Sequence, residues 1–220
     1  MEHSGSATPT VVSLMGRTPQ SVDRRSARRH IAVLRIGKIV TGESEQLCMI
    51  RNISGTGLMA HVYGHHVPGE HIAIEIKNGH VLMGRVVWSS GLAIGVEFDG
   101  RIDVLEFLAN EQSDLLEGKV ARAPRLKTRT DAVVRRGAHY IRAELGDISQ
   151  GGACLSEGDA FDARDDVVLM VHGLSPIPGT VCWRREGHVG IRFNQLVPFE
   201  TLAVWAAQHA PVPASKDSAA

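Results

Sequence analysis

The strongest constraint on the fold is that the chain contains two copies of one pattern. The polar loop Asn52-Ile53-Ser54-Gly55-Thr56-Gly57 returns 95 residues later as Asp147-Ile148-Ser149-Gln150-Gly151-Gly152. The same offset carries four further residues, Gly84, Trp88, Gly95 and Phe98, onto Gly179, Trp183, Gly190 and Phe193. A period this long indicates the duplication of a whole domain rather than a solenoid repeat.

Arginine clusters precede both loops, but they align at a different offset. With an offset of 100, Arg25 and Arg29 fall on Arg125 and Arg129. The change from 100 to 95 predicts that the second copy lacks five residues between its arginines and its loop, in a shortened hairpin. Arg24 and Arg28 have the same spacing and form an alternative register for the first pair.

Each copy is rich in short strand patterns. Ile72, Ile74 and Ile76 alternate with less apolar residues, and Asn78-Gly79 then favours a hairpin turn. Short strands separated by turn signals favour a small antiparallel barrel in each copy. Apolar residues at near-helical spacing predict a helix after each barrel, and they are Ile102, Leu105 and Leu108, then Phe199, Leu202, Ala203 and Ala206. The predicted boundaries are a flexible leader at 1–22, domains at 23–118 and 119–210, and a flexible tail at 211–220.

Composition excludes several function classes. The formal net charge is zero, so no overall basic field favours general nucleic-acid binding. No apolar run approaches the roughly 20 residues that cross a bilayer. Three widely spaced cysteines and 11 histidines match no disulfide framework or metal-ligand set. The absence of a membrane span and of a disulfide framework favours a cytoplasmic location, and the histidine spacing favours no bound metal. Because no nucleophile–base pair or phosphate loop is recognisable either, we expect a protein that is not an enzyme and holds no cofactor.

The loop and the arginines each allow two interpretations. The loop offers a side-chain acceptor, a hydroxyl and an unhindered backbone, which suit a ligand. It also fits a plain turn in which Gly57 or Gly152 adopts a positive φ. Arginine forks fit phosphate or the guanine edge, but such a run is also typical of a solvated basic arm. Trp88 and Trp183 are predicted to be core or barrel-end residues rather than stacking platforms.

Taken together, these features resemble the PilZ family. The resemblance covers roughly residues 23–110 and 122–208, and it includes Gly69, the run Gly84 to Trp88 and the run Ile94 to Phe98. It implies a mainly β protein with two tandem six-stranded antiparallel barrels, each followed by a C-terminal helix. It also implies a receptor for cyclic di-GMP whose ligand-binding residues are Arg25, Arg29, Asn52, Ser54 and Gly57 in one site, and Arg125, Arg129, Asp147, Ser149 and Gly152 in the other.

The same resemblance implies how the protein acts. Binding is expected to order the arginine arm and change arm or inter-domain conformation, and so regulate motility, biofilm or exopolysaccharide output through a protein partner. The alternative is a degenerate PilZ module that contacts proteins without binding nucleotide. Binding to DNA through the basic arms is not expected, because aromatic stacking platforms are lacking. The sequence leaves open whether one or both copies bind, although the first is closer to the family pattern.

Overall fold

The computed structural model describes residues 31–42, 44–76, 80–106 and 123–209. These residues form two closed antiparallel barrels of six strands each, followed by one helix, so the predicted mainly β tandem-barrel fold is confirmed. The first barrel comprises β1 (Ile31–Thr41), β2 (Ser44–Ser54), β3 (Gly57–Val62), β4 (His71–Ile76), β5 (His80–Ser90) and β6 (Ala93–Phe98). The second comprises β7 (Leu126–Arg136), β8 (His139–Ser149), β9 (Gly152–Leu155), β10 (Asp166–Val171), β11 (Ile177–Arg185) and β12 (His188–Phe193).

The helix α1 (Phe199–His209) follows the second barrel, as predicted. After the first barrel the backbone is helical at 104–106, and the rest of the helix predicted there lies outside the described residues. The Asn78-Gly79 turn and the terminal segments at 1–22 and 211–220 lie outside them as well. A short 3-10 helix, Gly158–Ala160, belongs to the second barrel.

Both barrels have the same strand order. The first closes as β1-β2-β3-β6-β5-β4, and the second closes in the corresponding order, β7-β8-β9-β12-β11-β10. Closure pairs the backbone of every strand on both sides, which removes the open edges that would otherwise invite aggregation. The inward faces carry mainly Ile, Val and Leu, so each barrel has its own apolar core.

The two barrels match at an offset of 95 down to individual hydrogen bonds. Phe98 donates its N–H to the Thr56 carbonyl at 2.9 Å, and Phe193 donates to the Gly151 carbonyl at 2.9 Å. The next pair repeats in the same way, from Ile102 to the Gly55 carbonyl at 3.0 Å and from Val197 to the Gln150 carbonyl at 2.8 Å. The repeat read from the sequence is therefore a repeat of backbone geometry.

This register corrects the alignment of the arginines. The β1–β2 hairpin closes on the pair Thr41 and Ser44, and β7–β8 closes on Arg136 and His139, so the two hairpins have equal length. The predicted five-residue shortening is wrong, because the offset of 100 matched residue types in an arginine-rich run rather than positions in a strand. Arg125 and Arg129 stand 95 residues after His30 and Leu34.

β-bulges decide which side chains face outward. In β2 the ladder to β3 shifts register between Ile50 and Asn52, and in β8 the ladder to β9 shifts between Leu145 and Asp147. An extra residue in a strand reverses the alternation beyond it. The inward residues next in line are consequently Ile53 and Ile148, and Asn52 and Asp147 are placed on the outer surface.

Candidate functional site

Each polar loop is a two-residue hairpin held by its serine. Ser54 pairs with Gly57 across the turn from β2 to β3, and its hydroxyl donates to the Gly57 carbonyl at 3.1 Å. Ser149 does the same with the Gly152 carbonyl at 3.2 Å. Both serines are buried. The hydroxyl therefore fixes the shape of the turn.

The glycine that ends each loop is required by close packing rather than by a positive φ. Neither Gly57 nor Gly152 adopts a positive φ, so that part of the turn interpretation is wrong. A Cβ added to Gly57 would lie 2.3 Å from the Val96 carbonyl oxygen. At Gly152 it would lie 2.5 Å from the Ile191 carbonyl oxygen. Only glycine lets the neighbouring strand approach this closely.

In the second copy an arginine binds the loop carboxylate directly. Arg125 Nη1 lies 2.8 Å from Asp147 Oδ1, with side-chain exposures of 49% and 26%. Burial raises the pKa of the adjacent Cys154 thiol, Asp147 raises it further, and Arg125 partly opposes both. The structure thus brings together two of the predicted site residues, Arg125 just before β7 and Asp147 on β8.

A cavity of about 180 Å³ lies beside this ion pair. The predicted residues Arg125, Ser149 and Gly152 line it, together with Gly151, Ala153, Cys182, Trp183, Gly190, Ile191 and Arg192. A larger open groove of about 510 Å³ shares Trp183 and continues along Cys154, Arg184, Arg185, Glu186 and His188. Arg129 is exposed within β7 and does not line either cavity. Three of the five residues predicted for the second site thus line one cavity, and the arginines on its rim would suit an anion.

Neither of the two tryptophans predicted to lie in the core or at a barrel end is buried in a core. Trp88 and Trp183 are 41% and 43% exposed, and each indole lies on the outer surface across a glycine, Gly95 or Gly190. A register shift precedes each tryptophan on the ladder to the next strand and turns it outward. Of the two predicted positions, core or barrel end, the core position is therefore wrong. The duplicated tryptophan and glycine were the available signal for this position. A glycine on the neighbouring strand leaves space on the outer face of the barrel for the indole ring to lie over it.

Two other residues at the second cavity, Cys182 and Arg192, were also missed. Cys182 is exposed and lines the cavity with Trp183 and Arg192. Only the barrel brings Arg192 on β12 beside the loop between β8 and β9. No sequence spacing indicates that contact, because it depends on which strands pair.

In the first copy the structure describes three of the five predicted residues. Asn52, Ser54 and Gly57 occupy the positions that correspond to Asp147, Ser149 and Gly152. The predicted arginines Arg25 and Arg29, and the alternative pair Arg24 and Arg28, lie outside the described residues.

Three further properties concern the described part of the chain alone. Among these residues, no group of three or more His, Cys, Asp or Glu side chains is placed to hold a metal ion. None of the helices described there is both long and apolar enough to cross a membrane. The three cysteines are free thiols.

The PilZ domain matches this chain twice, over residues 23–110 and 119–202. The chain belongs to the PilZ family. The two matches cover most of the sequence, and they coincide with the two barrels and their polar loops. Comparison with curated protein sequences gives no match.

The solved structures to which this chain is similar are distant in sequence. PlzA of Borreliella burgdorferi, in complex with c-di-GMP, has 13% identity and a TM-score of 0.38, over 82% of this chain and 93% of that one. MotI/DgrA, the inhibitor of motility of Bacillus subtilis, has 12% identity and a TM-score of 0.32, over 81% and 97%. YcgR of Escherichia coli, in complex with c-di-GMP, has 11% identity and a TM-score of 0.31, over 78% and 81%. The family assignment depends on the domain matches and the barrels.

Proposed function

We propose that this tandem PilZ protein is a non-enzymatic receptor for cyclic di-GMP. The observation that carries the proposal is the arrangement around the second loop, where Arg125, Ser149 and Gly152 line one cavity and Arg125 contacts Asp147. Membership of the PilZ family supports the choice of ligand, and PlzA and YcgR were both solved with that nucleotide.

The chemistry of the second site suits a guanine with a phosphate. The guanine edge carries two neighbouring donors, N1–H and N2–H₂, which match the two oxygens of the Asp147 carboxylate. Arg125 is then released to a phosphate oxygen, and charge-assisted hydrogen bonds form at both places. Arg192 and the exposed face of Trp183 lie on the same cavity, where they add positive charge and an aromatic surface.

The exchange of partners costs little. The Arg125–Asp147 pair is partly solvent-exposed, and such pairs contribute about 0–1 kcal/mol to stability. Hydrogen bonds to charged groups contribute about 1.5–3 kcal/mol each. A ligand that supplies both a guanine and a phosphate therefore offers more than the pair it replaces. Arg129, exposed on β7, contributes to the positive field around the phosphates.

We assign the first site to Asn52, Ser54 and Gly57 together with Arg25 and Arg29. Asn52 offers one acceptor oxygen and an amide donor, so it satisfies one guanine donor where Asp147 satisfies two. The arginine pair precedes this barrel, as the family pattern requires. We therefore expect both copies to bind the nucleotide, but with different affinities.

The proposed output is a change in the arginine segments or in the contact between the barrels. A cytoplasmic partner in motility, biofilm or exopolysaccharide machinery would read that change. An order–disorder transition driven by new charge-assisted bonds is a common form of such a switch.

Isothermal titration of the full chain with cyclic di-GMP tests the proposal. We expect saturable binding at micromolar or lower concentration, and no binding of cyclic di-AMP, which lacks the guanine donors. Combined Asn52→Ala and Arg29→Ala substitutions should leave only the second site, and Asp147→Ala only the first. Absence of binding by the folded wild-type protein would contradict the proposal.

The second candidate function is a PilZ interaction module without nucleotide binding. One observation favours it for the second copy: Asp147 is already satisfied by Arg125. The titration distinguishes the candidates, because an interaction-only copy shows no change in stoichiometry when Asp147 is replaced.

A further inference from the structure

The outer face of strand β2 is the place where the first barrel meets the second. Leu47 on β2 is only 1% exposed, and it belongs to the core cluster of the second barrel rather than to that of its own. Ile36 and Tyr63 pack against the same cluster. The Tyr63 ring also meets Phe199 of α1 edge-on at 6.0 Å. The two barrels therefore share a packed apolar interface.

Glu45, at the start of the same strand, carries a polar contact across this interface. Its Oε2 accepts the backbone N–H of Lys127 at 2.7 Å, and its Oε1 lies 3.0 Å from Lys38 Nζ. The Glu45 side chain is only 11% exposed, whereas Lys127 is exposed, so this bond lies at the rim of the interface. A carboxylate of the first barrel thus holds the backbone of the second.

Lys38 fixes the Glu45 carboxylate in place. Its Nζ is also 2.8 Å from Glu75 Oε2, which makes it the centre of a three-residue charge cluster. Burial lowers the pKa of Lys38, but the hydrogen bonds and charges of Glu75 and Glu45 outweigh that effect and raise it overall. Lys38 accordingly stays protonated at neutral pH and keeps Glu45 oriented towards Lys127.

The backbone that Glu45 holds belongs to the second candidate site. Lys127 is the cross-strand partner of Asp147, and a register shift follows it in β7. Arg125, which contacts Asp147, lies two residues earlier. The cross-domain bond therefore acts on the strand segment that sets the distance between the loop carboxylate and its arginine.

We propose that Glu45 is a positioning residue for the second nucleotide site, and that it couples this site to the contact between the barrels. Movement of the first barrel away from Lys127 weakens binding at the second site. By linkage, nucleotide bound at the second site stabilises the contact between the barrels to the same degree. The coupling is specific to the second site, since Tyr140, 95 residues after Glu45, is 67% exposed. The ligand in this inference rests on the proposed function.

Amide hydrogen exchange in the absence of nucleotide provides the first test. Glu45→Ala should speed exchange at the Lys127 amide about tenfold, within the usual range of coupling between sites. Glu45→Gln, which keeps an acceptor oxygen, should produce a smaller change. Glu75→Gln is the matched control, because Glu75 also binds Lys38 but does not reach Lys127. Unchanged exchange at Lys127 in Glu45→Ala would overturn the proposal.

Titration with cyclic di-GMP provides the second test, with the first site silenced by Asn52→Ala and Arg29→Ala. Glu45→Ala should weaken binding at the second site about tenfold, and Glu75→Gln should leave it unchanged within roughly twofold. Equal affinity of the Glu45→Ala and parent proteins overturns the coupling. Failure of the proposed function appears differently, as absence of binding by the wild-type chain whatever residue stands at 45.

Discussion

The two barrels have the same strand order and equivalent hydrogen bonds in their loops, but they differ in the charged residues next to those loops. The second loop carries Asp147 bound to Arg125, whereas the first carries the neutral Asn52, and His30 stands 95 residues before Arg125. The arginines assigned to the first loop come earlier in the chain. One scaffold therefore presents two different sets of polar groups, because the turn is fixed by its buried serine and its glycine while the outer residues are free to differ.

The largest expected effect tests what the copies share. A Cβ at Gly57 or Gly152 would meet a backbone carbonyl oxygen of the neighbouring strand. Gly57→Ala and Gly152→Ala should each destabilise their barrel by about 3 kcal/mol, the upper end for overpacking, because a backbone atom moves less easily than a side chain. Urea unfolding followed by tryptophan fluorescence measures this. Gly100→Ala is the control, since nothing lies within 4 Å of its added Cβ. If only one of the two variants lost stability, the two glycines would not be structurally equivalent.

The next effect concerns the arginines of the second copy. With the first site silenced, Arg125→Ala should weaken binding of cyclic di-GMP about 30-fold, or roughly 2 kcal/mol, because it removes a charged hydrogen-bond donor from the cavity. Arg129→Ala should weaken binding less than about threefold, because the Arg129 charge is exposed and screened by solvent. Titration calorimetry measures both. Equal losses would restore the pairing of Arg125 with Arg129 that the sequence suggested.

Exchanging the loop residues should narrow or reverse the difference between the copies. Asp147→Asn removes one of two acceptors for the guanine edge and should weaken the second site about fivefold, or roughly 1 kcal/mol. Asn52→Asp should strengthen the first site by a similar factor. Each variant is titrated with the other copy silenced. Affinities that stay the same after both exchanges would show that the guanine edge is not read by these residues.

The smallest expected effect concerns the pH dependence of stability, because only the first barrel carries a buried lysine at this position. Lys38 has a raised pKa, so its stabilising contribution is complete below its ordinary value of 10.5 and is lost as the pH rises through the folded value. The residue 95 positions later is Val133. We expect the midpoint of thermal unfolding to fall by roughly 2 °C more on alkaline titration in the wild type than in Lys38→Met. If the unfolding midpoints of the wild type and of Lys38→Met changed equally with alkaline pH, the stabilising role of Lys38 at the interface would be rejected.

Much of the fold could be predicted from the sequence, because its signals are local. Alternation in Ile72, Ile74 and Ile76 depends on the two-residue period of a strand, and the structure confirms β4 there. The duplicated loop and the glycine–tryptophan pairs recurred at one fixed offset, which indicated two copies of one domain. The arginine alignment failed because it compared residue types in a charged run, and such a run has no periodicity to set its register.

Only the tertiary structure decided whether a side chain faces inward or outward and which distant residues it contacts. Bulges before Asp147 and Trp183 turn both side chains outward, and a bulge is not visible in simple alternation. Barrel closure brings Arg192 to the second loop, and packing of one barrel on the other brings Glu45 to the Lys127 amide. The sequence by itself determined two barrels, each with a serine–glycine loop. The charges around the second loop and the contact between the barrels come from residues distant in the chain, which only folding brings together.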